Sequence, residues 1–474
     1  MEVNPYDINN LPPLGEKYTL EMLERDYAKV LVMADKGVLP LCIYCIVANK
    51  MKLGPVWVCI VAPPSGGKSE LLTSFFDMVD YVHPLSSLTP QTLISGMKQA
   101  GGKSSSLLDE IIGKTVIMKD LTTIVEMSKE DRRAILAQLR EVYDKRFDKA
   151  FGTGERKQWE GHVGWLGAIT PEGAEIFGSR GAMGERFIFY RMTMPDRFKV
   201  LEKSAENNAN NMSDLQLYLK ACANRFLEPI LQAAESMTEE ERKVILNKKT
   251  QQTVFKLAEF TTRARSSVRM DFKGQDILYV HPPEMPTRFA GQLMGIAGAA
   301  MFIYKFLEEE VDGLKERDSN LLADICWGSI PAHRADVVRL LSTYKQGTTK
   351  AVAARLGYET SVVRTWMLEL AGLKIVKRLT ASANSDVWYM QIKDRELVAD
   401  YSGIKMVDHE VIDEDPVEDE FDPNDPDIEQ AVKLAEQANE MNHPKGVELD
   451  PMTGLLMKDG QIYDENHPDH PDYY

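Results

Sequence analysis

Ala62-Pro63-Pro64-Ser65-Gly66-Gly67-Lys68-Ser69 is the segment whose residue types and spacing point most directly at a chemistry. It follows a short β-branched and aromatic run, Pro55 to Val61, and opens a helical pattern from Glu70 to Met78. In that setting Pro64, Ser65, Gly66, Gly67 and Glu70 belong to a phosphate cradle of backbone N–H groups backed by a helix N-terminus. Lys68 would reach the β and γ phosphates, and the Ser69 hydroxyl would bind Mg²⁺. The pattern begins with Gly, and Ala62 stands there instead; a methyl group costs little if φ at that position is negative. Gly101-Gly102-Lys103-Ser104 imitates the end of the motif without a preceding strand and reads as a loop.

Mg²⁺ held this way needs a second carboxylate at the end of a buried strand, expected beside the first. Thr115-Val116-Ile117-Met118-Lys119-Asp120 supplies one, so Asp120 is the expected partner of Ser69. Leu121 follows, where a water-polarising glutamate is common, so a general base is displaced or absent; Glu126, Glu141 and Asp144 are the candidates. The run Val163 to Ile169 ends at Thr170, a polar group positioned to touch a terminal phosphate or the attacking water. Gly184-Glu185-Arg186-Phe187 opens a further apolar strand.

These residues need a scaffold, and the pattern predicts α/β. Short apolar runs at 55–61, 115–118, 163–169 and 187–192 alternate with helical stretches such as Ser128 to Tyr143, as in a parallel sheet buried on both faces. Residues 1–50 read as a helical N-terminal segment and 51–195 as the phosphate-binding core. Residues 196–329 read as a helical second domain with long amphipathic helices. Residues 330–400 read as three helices and a hairpin, a winged helix-turn-helix in which Lys350, Ser361, Arg364, Lys377 and Arg378 face DNA. That unit holds 11 Lys and Arg against 7 Asp and Glu between Pro331 and Asp400.

The chain has 474 residues and a formal charge of −16, which misleads. From Asp408 onward there are 21 acidic residues against three Lys and no Arg, leaving residues 1–407 nearly balanced and nucleic acid open as a partner. Residues 401–474 are therefore expected to be a disordered acidic tail that docks a replication partner or competes with DNA. Five cysteines do not form a disulfide framework, Cys42 and Cys45 sit in an apolar helical pattern, and the N-terminus lacks signal-peptide regions, so a cytoplasmic protein is expected. Only Val30 to Ala48 approaches the length of a membrane span, and Asp35 and Lys36 interrupt it, so no membrane contact is expected.

The order of parts from Trp57 to Arg191 resembles the AAA+ ATPases, within the ASCE group of P-loop proteins. It closely resembles the P-loop proteins of phages and mobile elements labelled helicase or primase-helicase. The blocks APPSGGKSELL, VIMKDLTT, LREVYD, GAITPEG and MGERFIFYR carry the likeness. The architecture is also similar to minichromosome maintenance helicases, which end in a winged helix and have an Arg-Phe pair where this chain has Arg186-Phe187. The resemblance implies ATP and Mg²⁺ as cofactors, Asp120 as the Walker B aspartate, Thr170 as sensor 1 and Arg186 as an arginine finger acting on a neighbour's ATP. Arg180 is a rival for the finger. Arg288 would be a sensor 2 residue, or simply a solvated helix arginine. It further implies a homo-oligomeric ring, a hexamer, moving on single-stranded or forked DNA in the cytoplasm, the host's if phage-encoded. The second reading, from a different class, is an ATP-gated initiator, helicase loader or regulator with little unwinding.

Overall fold

A computed structural model describes residues 6–13, 16–93, 106–150, 156–179, 186–208, 212–344, 346–382, 385–402, 411–412, 447–449, 456–458 and 461–462. The loop 101–104 and Arg180, Gly184 and Glu185 lie outside the described residues, as does most of the acidic tail. The chain divides into two units, Met1–Glu414 and Asp415–Tyr474.

The larger unit is built on a five-stranded parallel sheet of β1 (Trp57–Val61), β2 (Val82–Leu85), β3 (Thr115–Met118), β6 (Gly164–Ile169) and β7 (Ile188–Arg191), in the order β2-β3-β6-β1-β7. Strands β1, β3 and β6 are buried along their whole length, which is why their sequences are unbroken apolar runs. The Asp120 strand is not beside β1, as expected from the sequence; β6 lies between them, paired to β1 through Val61↔Ile169 and to β3 through Met118↔Gly167. Strand β2 is an edge, and so accommodates Pro84.

Two apolar layers cover the sheet. On one face, Trp57, Cys59 and Val61 pack with Val116, Met118, Trp165 and Phe187, and with helices α4 (Leu107–Ile111), α5 (Thr122–Glu126), α6 (Lys129–Tyr143) and α7 (Pro171–Ser179). On the other, Val58 and Ile60 meet α1 (Leu20–Val30), α2 (Val38–Lys50) and α3 (Lys68–Thr73), and the later helices α9 (Met212–Glu235), α11 (Lys248–Ala264) and α12 (Thr287–Phe306). One core therefore runs through the expected N-terminal segment, the phosphate-binding core and the helical stretch. Helix α2 lies nearest the sheet, every residue but Lys50 buried, and its end is set by Asn49, which exchanges hydrogen bonds with the Val56 backbone at 3.0 and 3.1 Å. A Cβ on Gly164 would come 2.1 Å from Asn49 Nδ2, so that approach requires glycine. Cys42 and Cys45 are buried in α2, and burial holds both thiols well above their ordinary range, consistent with packing and not metal or redox chemistry.

Helix α12 corrects one expectation: it alone among the described helices is long and apolar enough to cross a membrane, a length the sequence reading found nowhere. It is 72% buried over that window, and its Gly295 and Gly298 let Val56 and Leu53 approach closely, which is how a core helix is packed. Helices α8 (Arg197–Asn208) and α10 (Glu239–Lys243) flank α9, and α13 (Glu316–Ser329) packs on β7.

Two antiparallel hairpins had no counterpart in the sequence reading: β4 (Arg146–Ala150) with β5 (Arg156–Glu160), and β8 (Val268–Met270) with β9 (Ile277–Val280). A third apolar cluster joins α14 (Ala332–Thr343), α15 (Thr349–Leu356), α16 (Thr360–Gly372), α17 (Ile392–Ser402) and the strands β11 (Val376–Ser382) and β12 (Ser385–Met390) around buried Trp388, and β10 (Gln346–Thr348) pairs with β12. Strand β13 (Val411–Ile412) pairs with β10. In the smaller unit, β14 (Val447–Leu449), β15 (Leu456–Lys458) and β16 (Gln461–Ile462) form an antiparallel sheet within the stretch expected to lack structure. Its short strands, VEL, LMK and QI, are separated in sequence by Pro451, Gly454 and Gly460, local turn signals that the excess of carboxylates obscured.

Candidate nucleotide site

The site forms where three parallel strands end together. Ala62 N–H donates to Ile169 O at 3.2 Å, closing the end of β1 on β6, and Leu121 N–H donates to Ala168 O at 2.7 Å, closing β3 on β6. Lys68, Thr170 and Asp120 thus stand at one edge of the sheet because β6 couples the other two strands.

Between β1 and α3 the loop turns through left-handed backbone at Ser65 (φ 60°) and Gly67 (φ 78°), while Ala62 does not take positive φ, so its methyl group is tolerated. Gly66 is buried, and a Cβ there would meet Met194 Cε at 3.0 Å and Pro63 O at 3.3 Å. Pro64, Ser65 and Ser69 are exposed, and Glu70 occupies the first turn of α3. The Lys68 ammonium turns back into the loop, donating to Ala62 O and, at 3.4 Å, to Ile169 O. Burial lowers its pKa from the usual lysine value and the Asp120 charge opposes the shift. An ammonium resting on two carbonyls at the mouth of a left-handed loop fits a triphosphate, whose oxygens would replace those carbonyls.

Asp120 is exposed just past β3, and its Oδ1 accepts Thr122 N–H at 2.8 Å. Lys68 and Asp120 are close enough for each charge to act on the other. Ser69 and Asp120 would hold Mg²⁺, which neutralises phosphate charge and orients the terminal group when bound. Thr170 Oγ1 accepts Gly173 N–H at 3.1 Å in the first turn of α7, which fixes its place at the end of β6. Leu121 is fully buried and packs over Gly167, where an added Cβ would lie 2.6 Å from Leu121 Cδ1. The position after Asp120 is therefore part of the core.

Two of the three candidate bases lie elsewhere. Asp144 ends α6 and pairs with Arg186 at 2.6 Å, and Glu141 lines a cavity of about 410 Å³ with Arg140 and Arg186. Arg186 precedes β7, and buried Gln292 binds both Trp57 N–H, at 2.8 Å, and Arg186 O, at 3.0 Å, which locates this group at the opposite end of β1 from Lys68. One strand length, roughly 15 Å, separates the two edges. Glu126, exposed at the end of α5, is left as the candidate on the phosphate side. Arg288 also belongs to the far edge, 4.0 Å from Asp144 and half exposed. It does not join Lys68, as a sensor acting within the same chain would.

Of the expected DNA contacts, Lys350, Ser361 and Lys377 are exposed. Arg364 and Arg378 both turn to Asp386, at 3.7 and 2.6 Å, so one carboxylate neutralises part of the expected basic face. The sequence reading missed the β4–β5 hairpin, whose strands carry Arg146, Lys149, Arg156 and Lys157 and bury only Phe147 and Trp159. It also missed Asp35, a buried carboxylate accepting from Gly37 N–H, Val38 N–H, Tyr190 OH and Thr193 N–H within 2.9 Å. Thr193 precedes the Met194 that lies on Gly66, so Asp35 ties the N-terminal segment to the loop's surroundings. Among the described residues no group of His, Cys, Asp and Glu is arranged to hold a metal without a ligand's help. No protein-family model and no curated protein matches the sequence. What the fold itself defines is a mixed α/β protein with a five-stranded parallel sheet, compatible with the P-loop class.

Proposed function

We propose that this chain is an AAA+ type ATPase acting as a ring-forming DNA motor, in the manner of a phage replicative or recombination helicase. The observation that carries this reading is the meeting of Lys68, Thr170 and Asp120 at the ends of three parallel strands, with the Thr170 strand between the other two. The separation of Arg186 and Arg288 from Lys68 by the height of the sheet supports it too, since groups on the far edge serve a neighbour's nucleotide when subunits join head to tail. Helices α14–α16 followed by the β11–β12 hairpin support the winged-helix reading of the third cluster.

In this reading the loop backbone and Lys68 bind and orient the phosphates, Ser69 and Asp120 fix the metal, and Thr170 positions water or the terminal phosphate. A second reading, an ATP-gated initiator, helicase loader or regulator, is favoured by two observations. Leu121 is core, and Arg186 is held by Asp144, so neither a glutamate beside Asp120 nor an extended finger is presented. ATPase rate with and without single-stranded DNA, together with strand displacement on a forked duplex, separates the two. A DNA-stimulated rate with displacement supports the motor; slow, unstimulated hydrolysis with nucleotide-dependent assembly supports the loader; no ATP binding refutes both.

A further inference from the structure

The β8–β9 hairpin links α11 to α12 and leans on α16. Its inner residues Val268 and Val280 join the third apolar cluster. Ile277 and Val280 approach Gly372 so closely that a Cβ there would meet them at 3.0 and 3.1 Å. Thr365, in mid-α16, donates its hydroxyl to Gly274 O at 2.9 Å. The flank of α16 that Ser361, Arg364 and Thr365 share is thereby partly covered. A bare helix of about 10–12 Å diameter fits a major groove about 12 Å wide. A helix carrying a hairpin on that flank does not.

The hairpin's outer surface is of a different kind. Arg269 and Tyr279 are cross-strand partners and both exposed. Phe272 is fully exposed in the turn, and Leu278 and Tyr279 are 60% and 52% exposed. The turn is closed by internal hydrogen bonds: Asp271 Oδ1 gathers Gln275 N–H at 2.6 Å and Asp276 N–H at 3.1 Å, and Gly274 supplies the left-handed residue. Asp271 is thus occupied by backbone donors, leaving Asp276 as the turn's other acid against exposed Arg269 and Lys273. His281 stands at 88° to the Tyr279 ring with centroids 4.8 Å apart, fixing the ring's attitude. A large aromatic surface held out to water on an ordered turn, interleaved with cations, matches the stacking-and-phosphate chemistry of single-strand binding.

We propose that the outer face of the β8–β9 hairpin binds single-stranded nucleic acid, with Phe272 and Tyr279 stacking on bases and Arg269 and Lys273 contacting phosphates. This rests on the nucleic-acid part of the function proposed above, and it deepens that reading by selecting single strands over duplex. The test uses the full chain. Fluorescence anisotropy compares labelled oligo(dT) with a duplex of equal length, and a fluorescent ATP analogue is titrated separately. The unaltered protein should favour oligo(dT). Tyr279→Ala and Phe272→Ala should each weaken oligo(dT) binding by roughly fivefold to a hundredfold, Tyr279→Phe should restore it, and ATP-analogue affinity should not change. Unchanged oligo(dT) binding in the double alanine variant, or a preference for duplex, overturns the inference while intact ATP binding preserves the nucleotide reading. Loss of self-association in that variant with oligo(dT) affinity unaltered also overturns it and makes the face a protein contact. Ring-dependent oligo(dT) binding without ATP binding supports the platform and refutes the ATPase.

Discussion

Arg186 and Asp144 are joined at 2.6 Å on the sheet edge opposite Lys68, the arginine side chain 8% exposed and the carboxylate 42%. Gln292 fixes the Arg186 carbonyl, and the guanidinium lies 5.8 Å from the Tyr143 ring centroid. A finger must leave this pairing to reach a neighbour's phosphate.

Asp144→Ala should therefore destabilise by about 1–3 kcal/mol, because it removes the carboxylate that pairs with a mostly buried guanidinium. Arg186→Ala should do the same if the pair is only structural. If Arg186 is a finger, Arg186→Ala should also lower kcat by roughly 10³ at unchanged nucleotide affinity, and mixing with Lys68→Ala subunits should restore part of the rate. Thermal melts and ATPase assays on both variants distinguish the cases.

Lys68→Ala should weaken ATP-analogue binding by roughly tenfold to a hundredfold, the scale of a lost charge-assisted hydrogen bond. The melting temperature should change little, since among the described residues the ammonium donates to two backbone carbonyls, Ala62 O and Ile169 O, that are already ends of strands. Equal affinity in titration calorimetry would remove the phosphate-loop assignment.

Leu121→Glu should not supply a catalytic glutamate. The side chain is fully buried against Gly167, so the carboxylate would be left without a partner in the core at a cost of about 3–5 kcal/mol. A raised ATPase rate with unchanged denaturant midpoint would contradict this.

Asp318 gives a pH signature. Burial pushes its pKa up to about 6 from an ordinary 3.8, with Glu24 and Glu21 adding to the shift, against a hydrogen bond from Tyr44 OH at 2.9 Å. Arg317 Nε lies 3.3 Å from the same carboxylate and does not overcome burial. The folded state holds this proton more tightly than the unfolded state, so stability falls as pH rises from about 4 to 6, by about 3 kcal/mol from this group. Asp318→Asn should flatten that part of the denaturation-against-pH curve; an unaltered slope would assign it to other groups.

The strands β1, β3 and β6 were legible because burial on both faces leaves a continuous apolar run with few alternatives. The loop 62–69 was legible because its glycines, Lys68 and Ser69 are contiguous in sequence. The β4–β5 hairpin was not, since RFDKA and RKQWE bury one aromatic side chain apiece and otherwise read as polar loop. Strand β2 hid behind Pro84. The separation of Asp144 and Arg288 from Lys68 arises because α6 returns the chain to the edge where the strands begin, which spacing along the chain does not encode. Asp35 draws donors from residues 37 and 38 and from 190 and 193, and no local pattern announces such a convergence.

Helix α2 carries apolar side chains around its whole circumference because the sheet lies on one side and α9 and α12 on the others. During synthesis α2 emerges first, and α12 is completed about 250 residues later. At ribosomal speeds that delay is roughly 10–50 s. Through that interval the most apolar helix of the core has no native cover from α12, so the nascent chain depends on transient partners or chaperones until residue 306 is out of the ribosome.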